Sequence, residues 1–489
     1  MVNYRISLIP LGLLFLIQTI QSQVNSKLQQ QLEKLLQDKF YTHAHIGISV
    51  RDVATKTLLA EVDKDKFLTP ASVLKLVTTL TSLDILGEDY RFHTKLSHDG
   101  YVDDFGILKG NLYVEGGGDP SFASDRINGV PNLEKQLEII ASDLKKYGIQ
   151  CIEGDVIIDE SIFDSFPVAP TWQWNDLGNY YAGGAWGLNV NENLYDVYFN
   201  CNGPIGSAAS INGFAPIIPD LKLSNEVTID SSNTGDNVYI FGGPYLYNKR
   251  AVGTVPQGKS PFKVKGSIPD PPSFFGYKLL KYLEKRDMGG WNLKSQYHPL
   301  RKKNTRTFIT EYLSPKLSEI VRYANDFSIN LYAESILKIL GFEQRKSGSG
   351  ADGIAVIEKY LTSKSLDTKS CIMADGCGLS ARNGITPDFL TSFLCQQASN
   401  KTFDQLSEII PPVGKRGTVR SLLQGTKFQH KFIVKSGSMD RVLTYAGYCK
   451  TMSGKFVAFS VLLNDSEFSK SQENRIKLEK ILESMYKSL

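Results

Sequence analysis

Thr69-Pro-Ala-Ser-Val-Leu-Lys-Leu-Val-Thr-Thr79 places a serine, Ser72, three residues before a lysine, Lys75, at the start of an apolar helical run. Residues i and i+3 share one face of a helix, so the hydroxyl and the amine come within hydrogen-bond reach. A lysine that loses its proton through burial or a neighbouring positive charge can serve as the base for a serine nucleophile. This spacing alone is common, so the alternative is an ordinary helix turn at the surface. Only partner motifs elsewhere in the chain can distinguish the two interpretations.

The composition indicates an ordinary folded protein. The chain has 489 residues, of which 42% are apolar and 22% charged, enough for about two or three domains. The net charge of +4 is too small to predict binding to nucleic acid. The sequence has no Cys-x-x-Cys or His-Glu-x-x-His pattern, so we expect no metal ion or other cofactor. Disulfides and free buried thiols both stay open for the six cysteines.

The first residues have the pattern of a secretory signal. A short start that includes Arg5 precedes the apolar segment 6–17, which is shorter than the roughly 20 residues of a membrane-spanning helix. We expect cleavage near Ser22, with an uncleaved anchor as the alternative, and no transmembrane helix in the mature protein. The predicted location is therefore the periplasm.

Both ends of the chain predict antiparallel strands with helices beside them. Apolar residues recur at helical spacing from Leu28 to Phe40 and again from Leu478 to Leu489. Alternating patterns predict a hairpin and a three-stranded meander at 45–51, 57–62, 432–437, 442–448 and 456–463. The simplest arrangement is one antiparallel sheet flanked by helices, an α/β (α+β) fold, with the middle of the chain inserted into it.

The middle of the chain, from about residue 90 to residue 300, is rich in short strands, turns and glycine. Gly110-Asn-Leu-Tyr-Val-Glu-Gly-Gly-Gly-Asp-Pro120 is interpreted as a turn after a strand, because no Gly-Lys-Ser/Thr follows to bind phosphate. An aromatic loop begins at Trp172-Gln-Trp-Asn-Asp176 and continues through Tyr181. Farther on, Asp375-Gly-Cys-Gly-Leu-Ser380 predicts a turn bracketed by glycines, with Arg382 just past it.

Three short motifs stand in one order along the chain. Ser72-Val-Leu-Lys75 precedes Ser328-Ile-Asn330, and Lys435-Ser-Gly437 lies on a predicted strand. A set of S-x-x-K, S-x-N and K-T-G motifs is typical of penicillin-binding proteins and β-lactamases. Their joint occurrence is far more specific than any one motif.

From about residue 27 to residue 489 the chain resembles the low-molecular-mass class C penicillin-binding proteins, the D-alanyl-D-alanine carboxypeptidase/endopeptidase family. Besides the three motifs, the resemblance includes the long insertion, the 110–120 run, 172–176, Asn191-Glu-Asn193, 375–380 and Gly417-Thr-Val-Arg420. The chain departs from the family pattern at two positions. Ser436 replaces a threonine and keeps the hydroxyl, and Cys377 stands where the family often has serine.

The resemblance implies a β-lactamase/transpeptidase-like catalytic domain, made of an antiparallel sheet flanked by helices, with β-rich inserted domains. The expected division is a signal peptide at 1–22, a catalytic domain at 23–90 and 301–489, a β-rich insertion at 91–120 and 186–300, and a second inserted subdomain at 121–185.

The motif residues and the family pattern agree on a mechanism. Ser72 attacks the carbonyl of the penultimate D-alanine, and Lys75, kept neutral for part of the cycle by nearby Lys435, takes its proton. Ser328 relays the proton to the leaving amine, and Asn330 orients Lys75 and the substrate amide. Lys435 also binds the terminal carboxylate of the peptide.

Further substrate contacts are expected along the strand of the third motif. The hydroxyl of Ser436 binds the terminal carboxylate, and Gly437 leaves room for the substrate to pair as an added strand. The backbone N–H of Ser438, with that of Ser72, forms the oxyanion hole.

The resemblance also implies a pocket for the side chain of the stem peptide. It assigns Asp176 and Tyr181 to that pocket, with Arg382 approaching from the catalytic domain, so that the acid faces a side-chain amine. The alternative for Asp176 is a loop acid that caps a turn.

The predicted function is an exported D-Ala-D-Ala carboxypeptidase and endopeptidase whose partners are peptidoglycan stem peptides and β-lactam inhibitors. Two alternatives are a β-lactamase or ester hydrolase on the same fold, and a non-catalytic protein that binds the cell wall. The large insertion and the serine of the second motif argue against the first, and the complete motif set argues against the second. Turnover of a D-Ala-D-Ala peptide separates all three.

Overall fold

The computed structural model of the chain describes residues 25–289, 293–296, 305–467 and 471–489. The predicted signal peptide, residues 1–22, lies outside the described residues. Among the helices in these ranges, none combines the length and the apolar character that crossing a bilayer requires. All six cysteines lie in the described part and carry free thiols.

The described residues form α-helices and β-strands along the whole chain, with most of the helices toward its two ends. The α-helices are α1 (Ser26–Leu36), α2 (Lys75–Leu86), α3 (Leu133–Tyr147), α4 (Pro271–Glu284), α5 (Leu317–Phe327), α6 (Asn330–Arg345), α7 (Gly350–Ser363), α8 (Pro387–Gln397), α9 (Phe403–Ile409) and α10 (Ser471–Ser488). The strands are β1 (His45–Asp52), β2 (Leu58–Val62), β3 (His93–His98), β4 (Tyr101–Val102), β5 (Ile107–Lys109), β6 (Leu112–Glu115), β7 (Cys151–Ile152), β8 (Val156–Asp159), β9 (Leu194–Asn200), β10 (Ser210–Ala215), β11 (Lys222–Asp230), β12 (Asn237–Phe241), β13 (Asn248–Pro256), β14 (Phe262–Ser267), β15 (Leu293–Gln296), β16 (Thr307–Leu313), β17 (Cys371–Ile372), β18 (Gly384–Ile385), β19 (Phe432–Met439), β20 (Val442–Lys450) and β21 (Phe456–Asn464).

One antiparallel sheet joins the two ends of the chain. Its strand order is β19-β20-β21-β1-β2, and β1 pairs with β21 in continuous register from His45 opposite Asn464 to Asp52 opposite Val457. The predicted hairpin and meander are therefore confirmed as one sheet. Because β19 is the edge strand, the third motif lies where an extended peptide could still pair.

Helices cover both faces of this sheet. On one face, α1 and α10 pack against each other over the sheet, and the predicted apolar face of the last helix is fully buried at Leu478, Ile481, Leu482 and Met485. On the other face, α8 packs against β1 and β21, with α2 and α6 beyond it in the same apolar core. Two separate cores thus hold the sheet rigid between helical layers.

The middle of the chain contains two helices that the sequence analysis did not predict. Helix α3 buries Leu137, Ile140 and Leu144 at helical spacing, and α4 begins at Pro271 after the cap Asp270. Both pack on short strands in a core of their own. The many glycines and strand-like runs around them concealed this periodicity.

Strand pairing also crosses the expected domain divisions. The sheet β15-β8-β6-β3-β16 takes its strands from all parts of the insertion and ends with β16, which pairs with β3. Since β16 spans Thr307–Leu313, this pairing favours placing the return to the catalytic part after residue 313. The division into domains stays a proposal.

Two buried contacts connect the insertion to helix α6. Tyr332 donates to Glu192 Oε1 at 2.8 Å, and Lys338 Nζ donates to Asp164 Oδ1 at 2.8 Å. Glu192 has a positive φ of 54° in the Asn191–Asn193 turn, which aims its carboxylate at the helix and at Arg126. The insertion is thereby anchored on the helix that begins at Asn330.

The insertion also buries a lysine that has no carboxylate beside it in the described structure. Lys249 is 3% exposed, and its amine donates to the carbonyl and the hydroxyl of Ser267 and lies over the ring of Tyr195. Burial lowers its pKa to about 7. The unfolded chain keeps this proton up to the ordinary pKa of 10.5, so between these values unfolding takes up a proton.

Replacing Lys249 with methionine tests how much the burial of this amine lowers the free energy of unfolding. Because the unfolded state binds the extra proton, the free energy of unfolding should rise with pH between about 7 and 10 in the wild type. Lys249→Met should be more stable by a few kcal/mol at pH 6, since one pKa unit is about 1.4 kcal/mol, and the advantage should shrink toward pH 10. Urea unfolding at pH 6 and pH 10 measures the free energy of unfolding of the wild type and the variant. Lys222→Met, a change at an exposed lysine, is the control. An advantage that does not change with pH would contradict the assignment.

Candidate active site

Ser72 lies in a short turn rather than on an α-helix proper. Residues Ala71–Leu74 form a 3₁₀ turn, and α2 begins at Lys75. Ala71 has a positive φ of 46°, an unusual value for a residue with a Cβ. The tight turn still brings Lys75 Nζ to 3.0 Å from Ser72 Oγ, as the three-residue spacing predicts.

Lys75 is held by two oxygen atoms that only accept hydrogen bonds. Its amine donates to Asn330 Oδ1 at 2.6 Å and to the carbonyl of Cys377 at 2.7 Å. The residue is fully buried, and burial lowers the pKa of Lys75 below its ordinary value. Nearby Asp375 and Glu334 oppose that effect. Lys75 therefore sits in an environment that makes proton release easier than in water.

The second motif forms the connection between α5 and α6. Ser328 has a positive φ of 57°, which turns the chain between the two helices, and Asn330 is the first residue of α6. The Asn330 amide donates through Nδ2 to the carbonyl of Tyr181 at 2.8 Å. That bond fixes the orientation of the amide, so its oxygen faces Lys75.

Lys435 is the second buried amine of the site. From the edge strand β19 it donates to Ser328 Oγ at 2.9 Å and to the carbonyl of Ser436 at 2.7 Å. Burial, and then the charge of nearby Lys75, hold the pKa of Lys435 well below its usual range. Two amines so close together cannot both be charged without a cost, so each favours the neutral form of the other.

The strand of the third motif passes very close to Ser72. A Cβ at Gly437 would lie 2.8 Å from the backbone nitrogen of Ser72 and 2.9 Å from the carbonyl of Pro70. Next to it, the hydroxyl of Ser436 lies 2.7 Å from Thr418 Oγ1. The backbone of this strand and that of the Ser72 turn thus line one narrow space.

The 375–380 turn supports the other side of the lysine. Asp375 accepts two N–H bonds on each oxygen: from Gly378 and Asn383 on Oδ1, and from Trp172 and Ser380 on Oδ2. The bond from Trp172 ties the insertion to the turn. Gly378 has a φ of 84°, and a Cβ there would lie 1.9 Å from the carbonyl of Ala71, so only glycine fits.

Asp375 also lies near Glu334 and the thiol of Cys377, a set of three donors that could attract a metal ion. Four N–H bonds already occupy the two oxygens of Asp375. These bonds fit an anion that shapes a turn better than a ligand free to bind a cation.

Ser72 opens into a cleft of about 820 Å³ between the sheet, the second motif and the insertion. Several predicted residues line it: Ser72, Asp176, Tyr181, Ser328, Asn330, Ser436 and Ser438. Within the cleft, Tyr181 donates through its hydroxyl to Asp176 Oδ1 at 3.0 Å, and burial raises the pKa of that acid. Lys75, Lys435 and Gly437 form the floor behind these residues.

Arg382 is the one predicted site residue that does not reach the cleft. It is exposed, and its backbone N–H donates to Ser380 Oγ, while its neighbour Ala381 lines the cleft. In this structure the guanidinium is therefore not joined to Asp176 and Tyr181.

Two residues of the site, Glu334 and Thr418, were not predicted from the sequence. Glu334 accepts from the backbone N–H of Gly376 at 2.8 Å, and burial raises the pKa of Glu334 to about 7. Its only sequence signal was a position one helical turn after Asn330. Thr418 lies in a stretch that carried the family resemblance, but the pattern gave no reason to place its hydroxyl beside Ser436.

Comparison with known proteins gives a consistent set of relatives. Residues 28–485 match the model of the D-Ala-D-Ala carboxypeptidase 3 (S13) family. The chain is 25% identical to the D-alanyl-D-alanine carboxypeptidase of Actinomadura sp. (strain R39), over 90% of this chain and 81% of that protein. It is 24% identical to the D-alanyl-D-alanine carboxypeptidase DacB of Haemophilus influenzae, over 88% of this chain and 87% of that protein.

The fold agrees with these matches. The crystal structure of penicillin binding protein 4 (dacB) from Haemophilus influenzae superposes with a TM-score of 0.80 at 23% identity, covering 93% of this chain and 99% of that one. The predicted fold class is confirmed. With the family model matching nearly the whole described chain, the protein belongs to the D-Ala-D-Ala carboxypeptidase 3 (S13) family and is a serine-type D-Ala-D-Ala carboxypeptidase.

Proposed function

We propose that the protein is an exported carboxypeptidase and endopeptidase that cleaves peptidoglycan stem peptides through an acyl-enzyme on Ser72. The observation that carries this proposal is the set of contacts around Lys75. A neutral amine has two N–H groups and one lone pair, and the two short contacts of Lys75 go to oxygens that cannot donate. The lone pair is then left for the remaining neighbour, the hydroxyl of Ser72 at 3.0 Å.

Acylation follows from this arrangement. Ser72 Oγ forms a bond to the carbonyl carbon of the penultimate D-alanine while its proton passes to Lys75 Nζ. When the C–N bond breaks, the leaving amine takes a proton through Ser328, whose hydroxyl is bonded to Lys435 Nζ. Water then attacks the ester carbonyl and passes one proton through the buried amines to Ser72 Oγ. The bond between that oxygen and the acyl carbon breaks, which restores the serine and releases the shortened peptide.

Binding of the substrate is assigned to the edge strand. The narrow space between Gly437 and the Ser72 nitrogen supports an oxyanion hole made of the backbone N–H groups of Ser72 and Ser438, each worth roughly 3 kcal/mol. Lys435 and the Ser436 hydroxyl bind the terminal carboxylate, and Thr418 is added to them because its hydroxyl lies beside that of Ser436.

The same site should react with β-lactams. A β-lactam amide presents a strained carbonyl and a nearby carboxylate, which match the groups that the site is proposed to bind. A structure of the Haemophilus influenzae relative is a complex with a β-lactam, which supports the proposal for this chain. An endopeptidase activity uses the same acyl-enzyme and needs room for a cross-linked strand in the 820 Å³ cleft.

Asp176 and Tyr181 are proposed to bind the amine of the stem-peptide side chain. Asp176 lines the cleft from the insertion, and the hydroxyl of Tyr181 fixes its carboxylate. When the substrate ammonium arrives, the half-buried carboxylate loses part of its hydration and gains one charge-assisted hydrogen bond. Arg382 would have to move to join this pair.

Labelling with a fluorescent penicillin tests the acyl-enzyme. The wild type should gain the mass of one penicillin and release D-alanine from a diacetyl-lysyl-D-Ala-D-Ala peptide, whereas Ser72→Ala should do neither while keeping the same melting temperature. Mass spectrometry and a D-alanine assay give both results. A folded wild type without adduct or D-alanine would overturn the proposal, and rapid release of hydrolysed penicillin would favour a β-lactamase.

Gly437→Ala tests the close approach of the edge strand. The added methyl would lie 2.3 Å from Thr444 Oγ1 and less than 3 Å from backbone atoms of Ser72 and Pro70, so we expect acylation to slow about 100-fold or more. The matched control is Gly350→Ala, where a Cβ would meet one leucine atom at 4.0 Å. Stopped-flow acylation by the same penicillin measures both. Equal rates in the two variants would argue against an oxyanion hole at this strand.

Asp176→Asn tests recognition of the side-chain amine. The wild type should prefer a lysyl-D-Ala-D-Ala peptide over its Nε-acetylated form, and the variant should lose about tenfold of that preference, the equivalent of 1.4 kcal/mol. Asp440→Asn, a second carboxylate of the cleft, is the control. Ratios of kcat/KM for the two peptides give the answer. If the ratio of kcat/KM values is unchanged in Asp176→Asn, Asp176 does not bind the amine and only caps a turn.

A further inference from the structure

Helix α6 carries a stripe of three buried polar side chains that is only partly explained by the mechanism above. Asn330, Glu334 and Lys338 follow one another at four-residue spacing and are 9%, 5% and 4% exposed. Four residues make about one turn, so all three lie on one face of the helix. The first binds Lys75, and the last binds Asp164 of the insertion. Glu334 lies between them and touches neither the cleft nor the substrate path.

The contacts of Glu334 lead to Lys75 through one short turn. Its Oε1 accepts from the backbone N–H of Gly376 at 2.8 Å, and the thiol of Cys377 donates to the same carboxylate. The carbonyl of Cys377 in turn accepts from Lys75 Nζ at 2.7 Å. Glu334 therefore holds the N–H of Gly376, directly before the residue whose carbonyl contacts Lys75.

We propose that Glu334 is a positioning residue for the acyl transfer, which holds the Cys377 carbonyl against Lys75 and presents its own charge to that amine through the protein interior. This inference rests on the proposed function of Lys75 as the base for Ser72. A carboxylate in the dry interior acts over a longer distance than one in water, because little solvent screens it.

Glu334 shares its electrostatic effect on Lys75 with Asp375, which also favours the charged form of that amine. Asp375 is held by four N–H bonds, one of them from Trp172 of the insertion, and Lys338 is held by Asp164 and by the carbonyls of Phe166 and Ala185. The charge of Lys435 repels that of Lys75. Burial raises the pKa of Glu334 to about 7, so its charge changes near neutral pH.

The direction of the effect follows from the signs of the charges. An ionised Glu334 stabilises the ammonium form of Lys75 and so raises the pH at which the amine becomes a base. Without that negative charge, Lys75 should be neutral at lower pH. The acid limb of the acylation rate, which reports formation of the neutral amine, should then move to lower pH.

The experiment is the pH profile of acylation by a penicillin in the full chain, from pH 5 to pH 10. Glu334→Gln keeps an oxygen for the N–H of Gly376, replaces the second oxygen by an amide NH2 group and removes the charge. Its acid limb should move to lower pH by about half to one unit. Glu343→Gln, on the same helix but bonded to Tyr90, should leave the limb in place. Glu334→Ala should also lose the plateau rate, because the turn that holds Lys75 loses its anchor.

The outcomes separate this inference from the proposed function. Normal acylation with an unshifted limb in Glu334→Gln would overturn the role of Glu334 and leave the acyl-enzyme intact. A lowered plateau with the same limb would mean that Glu334 only supports the turn, which contradicts the electrostatic half of the proposal. Absence of acylation in the wild type would instead overturn the proposed function itself.

Discussion

The active site depends on burying two lysines that have no carboxylate in direct contact. Neither Lys75 nor Lys435 forms an ion pair within the described residues, and both are fully buried. An unpaired ammonium in a protein interior is costly, and proteins usually relieve the cost by releasing the proton. The fold thus favours neutral amines by excluding water and by keeping carboxylates out of direct contact with them. Because the oxygens of Asn330 and Cys377 accept hydrogen bonds from Lys75, the Ser72 hydroxyl is the neighbour left to give that amine a proton.

That constraint requires distant parts of the chain to meet at one place. Lys75 is bonded to Asn330 and to Cys377, residues more than two hundred positions along the chain, and Asn330 is bonded to Tyr181 of the insertion. The base acquires its properties only when the helical core, the 375–380 turn and the insertion are all in place. The insertion is therefore part of the catalytic structure, and removing it would expose Asn330 and the amine behind it to water.

The motif residues could be found from the sequence because each motif is local. Ser72 and Lys75 share one turn, Ser328 and Asn330 flank one helix start, and Lys435 lies on a clearly alternating strand. Glu334 and Thr418 were missed because their roles arise from contacts across the fold. The position of β16 was missed for the same reason: its pairing with β3 joins residues more than two hundred apart. Arg382 differs from them, since the family pattern assigns it to a pocket, while in the structure it is exposed and its neighbour Ala381 lines the cleft.

A cysteine can replace the usual serine at position 377 because Lys75 contacts the backbone carbonyl of this residue and not its side chain. Lys75 binds the Cys377 carbonyl, which any residue supplies, while the side chain points to Glu334 in the interior. A hydroxyl or a thiol can make that contact, so serine and cysteine are interchangeable in geometry. Burial and the nearby acids raise the pKa of the thiol well above its ordinary value, which keeps it protonated and a poor nucleophile. A cysteine whose carbonyl is one hydrogen bond from Lys75 is therefore compatible with the serine chemistry proposed at Ser72.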